Sequence, residues 1–172
     1  MNVQSVIREG IAWVHDIMER TIADVPESLL HSSPDTATIT SIASIYAHVV
    51  LGEDMLVQGF LQQRPPLFQA GGWATATGVP APAGPRMEPE WARSIRMNLP
   101  AFREFASAVY QATDNFVASL SEADMARILQ TGFAGQQTVA WLLQNIVIWH
   151  AATHAGEIAA LKGMNGLRGL PV

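Results

Sequence analysis

Two histidines near the C-terminal end of the chain have the spacing of a metal-binding pair. His150 and His154 are four residues apart, so on an α-helix they lie one above the other on the same face. A buried imidazole needs partners for both ring nitrogens, and a metal ion satisfies one nitrogen of each ring. The pair thus predicts a metal site, two hydrogen-bonded core histidines, or one buried and one solvated histidine. The other members of the face are aliphatic, namely Leu143, Val147, Ile158 and Leu161.

A third histidine on another predicted helix favours the metal site. His48 lies at the edge of the apolar stripe of its helix, and Gly52, one turn later, leaves space beside it. Three histidine ligands from two helices leave at least one coordination position open, which is typical of catalytic rather than structural zinc sites. Taken alone, His48 is a residue at the boundary between the apolar and polar faces of its helix.

Two glutamates are candidates to assist these histidines. Glu53 falls within the apolar stripe five residues after His48, and Glu157 follows His154 by three residues. Either carboxylate could orient an imidazole, act as a general base or supply a fourth ligand, and both are predicted catalytic residues. The alternative for Glu157 is a solvent-facing position. We expect His15 to be solvated beside Asp16 and His31 to pack in a loop or line a pocket mouth.

Composition excludes several classes of protein. The 172 residues carry a net charge of −5 without any block of Lys or Arg, which argues against nucleic-acid and anionic-membrane partners. There is no cysteine, so disulfides, thiolate metal sites and cysteine nucleophiles are excluded. The N-terminal residues lack the pattern of a signal peptide, and no apolar run approaches the roughly 20 residues that span a bilayer. We therefore expect a cytoplasmic protein without membrane or nucleic-acid partners.

Helical periodicity dominates the chain and predicts the elements that hold these residues. Apolar residues recur at steps of three and four, and no pattern typical of strands or internal repeats is visible. The sequence predicts an all-α four-helix bundle formed by a single domain over residues 1–172. Pro100 marks a kink or a fresh start in the third helix, and Ser121 and Asp124 resemble a capping box. The predicted long helices span about residues 3–25, 40–63, 91–119 and 138–163, with a loop over 25–38.

The connection between the second and third helices has a different composition. Residues 64–90 hold six of the ten prolines and four of the thirteen glycines, and they show no period of 2 or 3.6. An irregular segment of this length is typical of either a linker or a functional lid. Because the flanking helices belong to one core, we expect a lid that closes over the site.

Three stretches of the chain resemble the DinB-like (YfiT-like) superfamily of four-helix-bundle proteins. They are residues 26–34 after the first helix, residues 40–48 followed by Glu53, and residues 138–143 leading to 150–158. The resemblance implies that His48, His150 and His154 bind a divalent metal. It also implies homodimers, and activities such as thiol-dependent transfer and isomerisation with bacillithiol, mycothiol or glutathione-like thiols. Ala155 departs from the family, in which many members carry Arg or Tyr after the last histidine.

These observations predict a metal-dependent enzyme acting on a small-molecule substrate. Three histidines would hold a divalent ion, with Zn²⁺ or Ni²⁺ as the leading candidates, and its open positions would take a water or a substrate thiol. Any thiol must come from a small molecule, since the chain has none. The alternatives are a non-catalytic binding or dimerisation bundle with a relic site, and a metal that is purely structural.

Overall fold

The computed structural model describes residues 2–33, 40–82 and 88–171. Two helical stretches contain π-helical segments, which we call π1 (Met55–Leu61) and π2 (Leu143–Trp149). Helix α3 runs directly into π1, and π2 joins α9 to α10. The elements are α1 (Val3–Ile22), α2 (Glu27–Leu30), α3 (Ile42–Asp54), α4 (Leu67–Ala70), α5 (Trp73–Thr77), α6 (Pro89–Ser94), α7 (Leu99–Ser119), α8 (Glu122–Ala126), β1 (Ile128–Thr131), β2 (Gly135–Thr138), α9 (Val139–Leu142) and α10 (His150–Met164).

Four long helices form the bundle that the sequence predicts. Helix α1 packs against both α10 and α7, and α3 packs against the same two helices from the other side. The all-α four-helix architecture is therefore confirmed, with α3 and α10 as neighbours. Helix α3 is the most enclosed of the four, because within Ile42–Asp54 every residue is buried except His48 and Gly52.

Several predicted helix boundaries are confirmed by their caps. The Asn98 side chain accepts from the amide of Ala101, and Pro100 lies in the first turn of α7, so this proline marks a fresh start rather than a kink. Ser121 and Asp124 form a reciprocal capping box at α8. Thr138 caps the helical stretch that leads to His150.

A β-hairpin replaces part of the predicted irregular chain before the last helix. Strands β1 and β2 pair antiparallel, with Ile128 opposite Thr138 and Thr131 opposite Gly135. The prediction of no strand was wrong here, because four-residue strands rich in glutamine and threonine show no clear alternation. Gly135 has a φ of 68°, which suits glycine at this turn.

The prolines and glycines of residues 64–90 do not exclude regular structure. The segment contains α4, α5 and the beginning of α6, so the prediction of an irregular segment was wrong. Both carboxylate oxygens of Asp54 accept backbone amides at the start of α4, and the ring of Phe68 packs edge-on against Phe105 of α7. These contacts attach the segment to α3 and α7. Residues 83–87 lie outside the described part of the chain, and closure over the histidines stays a prediction.

The loop predicted between the first two long helices also contains a helical turn. Helix α2 begins directly after Pro26, and residues 34–39 of that loop are outside the described residues. Within the described ranges, no helix has both the length and the apolar character needed to cross a bilayer.

Candidate metal centre

The three predicted histidines converge at the interface between α3 and α10. Nε2 of His150 lies 3.0 Å from Nε2 of His48 and 3.1 Å from Nε2 of His154. One ligand atom from each of the three rings can be chosen so that all lie within 4.8 Å of one another. The rings are nearly perpendicular to each other, with interplanar angles of 78–90°. The structure thus brings together all three residues predicted from the sequence.

This convergence of nitrogens fits a cation better than hydrogen bonding within the cluster. Each Nε2 atom carries either one proton or one lone pair, so Nε2 of His150 can serve only one of its two close neighbours well. A divalent cation can accept a lone pair from each ring, and imidazole suits Zn, Ni, Cu and Fe alike. The donor set therefore fits a transition-metal ion.

The surroundings of the cluster keep two of the imidazoles neutral. Burial, reinforced by the neighbouring His154 and His48, lowers the pKa of His150 to about 3. Burial and the proximity of His154 also lower the pKa of His48 from its ordinary value, although Glu157 acts in the opposite direction. Neutral imidazole is the form that binds metals, so ligands of the required kind are present at neutral pH.

Glu157 lies beside the cluster and fixes the orientation of one ring. Its Oε2 atom is 2.6 Å from Nδ1 of His154, and its side chain is half-exposed. Donation from Nδ1–H to the carboxylate leaves the lone pair of His154 on Nε2, the atom that faces the other histidines. Glu157 is therefore not merely a solvent-facing residue.

Glu53 does not lie with the three histidines. Its carboxylate is buried and pairs with Nε2 of His15 at 2.9 Å, while Thr113 donates a hydrogen bond of 2.6 Å to the other oxygen. The imidazole that Glu53 orients is thus His15 of α1, stacked on Tyr110 with ring centroids 3.8 Å apart. This pair joins α1, α3 and α7 inside the bundle.

The prediction that His15 is solvated was wrong. Only 11% of its side chain is exposed, because Tyr110 covers one face of the ring and Glu53 binds its edge. A carboxylate within an apolar stripe requires a buried partner. The position of Glu53 within an apolar stripe was therefore the sequence feature from which a buried partner such as His15 could have been predicted.

His31 also has a defined structural role outside the cluster. The backbone amide of Met97 donates to its Nε2 atom at 2.9 Å, which ties the end of α2 to the residues before α7. This confirms the prediction that the ring packs in the loop. It also makes His31 a suitable control residue for the metal site.

Both helices that carry the ligands change their winding next to the site. Segment π2 ends at the residue before His150, and π1 begins just after Asp54, within two turns of His48. A π-helical turn rotates the residues that follow it, and such turns are frequent at functional sites. Segment π2 therefore sets the direction in which the side chain of His150 points from the helix.

The fold and the family of the chain are established by comparison with known proteins. The crystal structure of a conserved protein from Enterococcus faecalis superposes with a TM-score of 0.78, covering 94% of this chain and 95% of that one. At 17% identity this similarity shows the fold alone. Among curated protein sequences, none matches the chain. The family profile of the DinB superfamily matches residues 11–158, and the chain therefore belongs to the DinB superfamily.

Proposed function

We propose that this protein is a metal-dependent enzyme whose divalent ion is held by His48, His150 and His154. The observation that supports this most directly is the convergence of three Nε2 atoms on one point between α3 and α10. Zn²⁺ and Ni²⁺ are the ions that we propose to test first, since imidazole nitrogens are ligands that both of them accept.

The chain's own residues would hold the ion and keep a side of it free. Three protein ligands leave at least one coordination position for water or substrate. A divalent ion bound in this way lowers the pKa of a bound water or thiol and so supplies a nucleophile near neutral pH. Glu157 keeps the lone pair of His154 on Nε2 and is the carboxylate best placed to accept a proton at the rim of the site.

Glu53 has a different role in this proposal. Both of its oxygens are engaged inside the bundle by His15 and Thr113, so its carboxylate stabilises the packing of the ligand-bearing helix α3. The substrate would be a small molecule, and any thiol would be a low-molecular-weight cosubstrate, since the chain lacks cysteine. A cytoplasmic homodimer is the form of the protein that we propose.

Activity assays with matched variants test this proposal. The tag-free protein loaded with Zn²⁺ or Ni²⁺ is assayed for transfer of glutathione to an aryl halide and for hydrolysis of an aryl ester. We expect turnover in the wild type and in His31→Ala, and loss of turnover in His150→Ala and after chelation. Equal turnover in His150→Ala would contradict the proposal.

Two alternatives are distinguished when the melting temperature and the metal content of the same proteins are measured beside their activity. A purely structural ion predicts no turnover and a large fall in melting temperature on chelation. A relic site in a non-catalytic bundle predicts no bound metal and unchanged melting of His150→Ala.

A further inference from the structure

A cavity of about 580 Å³ lies between the end of α1 and the first half of α7, and we call it the α1–α7 cavity. Its volume is within the range of small-molecule binding sites. Pro100, Arg103, Ser107 and Tyr110 form one wall, and their spacing of three and four residues places them on one face of α7. The cavity is separate from the histidine cluster, which lies between α3 and α10.

Arg103 brings a free hydrogen-bonding edge to this cavity. Its Nε atom donates to Oε2 of Glu19 at 2.9 Å, and Oε1 of the same carboxylate accepts from the hydroxyl of Tyr46. Glu19 therefore holds the guanidinium in one orientation. Among the residues that the structure describes, none accepts a hydrogen bond from either Nη atom of Arg103. A guanidinium edge of this kind binds a carboxylate through two parallel hydrogen bonds.

Tyr110 carries a buried hydroxyl that lacks an acceptor. Its ring stacks on His15 and lines the cavity, and its hydroxyl has no hydrogen-bond partner within the described ranges of the chain. Burial raises the pKa of this phenol well above its ordinary value, and the nearby Tyr46 and Glu19 add to the effect, so the hydroxyl keeps its proton. A buried donor without an acceptor is costly, and a ligand oxygen would supply the missing partner.

The same cavity also carries a carboxylate without a counter-ion. Glu104 is exposed, and no other residue in the described part of the chain forms an ion pair or a hydrogen bond with it. Because the other two charged side chains of the cavity pair with each other, Glu104 gives the cavity a net negative charge. This charge favours a ligand that also has a positive group. The remaining lining is largely apolar and includes Ala23, Leu99 and Pro100.

We propose that the α1–α7 cavity binds a free α-amino acid with an apolar side chain. The carboxylate of the ligand accepts hydrogen bonds from Arg103 and Tyr110, and its ammonium group pairs with Glu104. Because the Tyr110 hydroxyl is buried, the half-exposed side chain of Arg103 has to shift for the ligand to reach it. A zwitterion pairs with both charged groups at once, whereas a simple carboxylate or amine leaves one of them unpaired. The inference does not depend on the metal site.

Protein-observed NMR titrations with leucine and two of its fragments test this inference. The fragment 4-methylpentanoate keeps the carboxylate and the side chain but lacks the ammonium group, and 3-methylbutylamine lacks the carboxylate. Three variants change the cavity, namely Arg103→Lys, Glu104→Gln and Tyr110→Phe. Arg103→Lys keeps a positive charge, and Tyr110→Phe removes no hydrogen bond of the described structure, so both should fold.

Two further variants are controls. Glu122→Gln changes an exposed carboxylate on α8, outside the cavity. His150→Ala is included because an amino acid can also coordinate a metal ion at the histidine cluster. We expect leucine to bind the wild type and both controls with the same Kd, below about 1 mM.

Both fragments should bind the wild type at least about tenfold more weakly than leucine, because each lacks one charged contact. Leucine should bind each cavity variant at least about threefold more weakly than the wild type. A wild type that shows no saturable binding of leucine would overturn the inference. A fragment that binds as tightly as leucine, or unchanged leucine affinity in any cavity variant, would also overturn it. Loss of leucine binding in His150→Ala would do the same, because it would place the amino acid at the histidine cluster.

Discussion

Oε2 of Glu157 lies 2.6 Å from Nδ1 of His154, while Nε2 of the same ring faces His150 at 3.1 Å. One imidazole is thus held on one side by a carboxylate and presents its other nitrogen to the cluster. Carboxylate–histidine pairs of this kind orient metal ligands and raise their basicity. By this arrangement a half-exposed glutamate would influence an ion held by the three histidines without touching it.

Replacement of Glu157 by Gln should weaken metal binding without removing a ligand. An amide is a poorer acceptor for Nδ1–H, and loss of such a partner typically costs about 10- to 100-fold in affinity. Competition with a chromophoric chelator measures the change. Glu104→Gln, an exposed carboxylate on α7, is the control and should bind metal like the wild type. Unchanged affinity in Glu157→Gln would show that the hydrogen bond has no role in metal binding.

The pair formed by Glu53 and His15 should act on stability and not on metal content. Glu53→Gln weakens one buried charge-assisted hydrogen bond, which costs about 1–3 kcal/mol in the free energy of unfolding. Urea denaturation of Glu53→Gln, of a single variant at His15 and of the double variant gives the coupling free energy between the two residues. We expect it to lie between about 0.5 and 3 kcal/mol. Loss of metal from Glu53→Gln at full folding would instead place Glu53 in the metal site.

The buried end of α10 provides a stability test away from the cluster. Lys162 is almost fully buried, and its ammonium donates to the carbonyl of Thr21 at 2.8 Å and to the carboxylate of Asp24. Asp24→Asn leaves the buried ammonium of Lys162 without its counter-ion and should lower the free energy of unfolding by about 1–3 kcal/mol. The loss is no larger because the side chain of Asp24 is exposed to solvent, which screens the ion pair. Lys162→Met removes the charge and should cost less. The opposite order in thermal or urea unfolding would contradict this.

The effect of Asp24→Asn should depend on pH. The hydrogen bond from Lys162 lowers the pKa of Asp24 below its ordinary value of 3.8, although partial desolvation opposes this. The stabilisation is therefore present above pH 3.8 and is lost as the pH falls through the lower pKa of the folded state. Urea titrations from pH 7 to pH 3 should show the difference between wild type and Asp24→Asn narrowing at the acid end. A difference that stays constant would exclude the ion pair as its source.

The candidate site was largely predictable because each of the three histidines lies within or at the edge of the apolar stripe of its own helix. His150 and His154 stand in a stripe of aliphatic residues, and His48 borders another, so three imidazoles in one bundle point to a shared site. The four long helices were predictable because the spacing of their apolar residues follows the helical period over many turns.

The features that the sequence did not predict depend on contacts between distant residues. His15 follows no pattern on α1, and its burial results from Tyr110 and Glu53 on two other helices. Helices α4 and α5 are each only four or five residues long and are stabilised by contacts to Asp54 and Phe105. Helix propensity cannot determine such short turns, because isolated helices of this length are unstable.

Metal content per chain tests the central claim most directly. The wild type, the three single alanine variants at His48, His150 and His154, and His31→Ala are purified without a tag or chelator. They are then analysed by mass spectrometry for metals and by Zn²⁺ and Ni²⁺ titration. We predict about one divalent ion per chain in the wild type and in His31→Ala, with loss or strong weakening of binding in each of the other three. A wild type that carries no metal and takes up neither ion at micromolar concentration would contradict the three-histidine site.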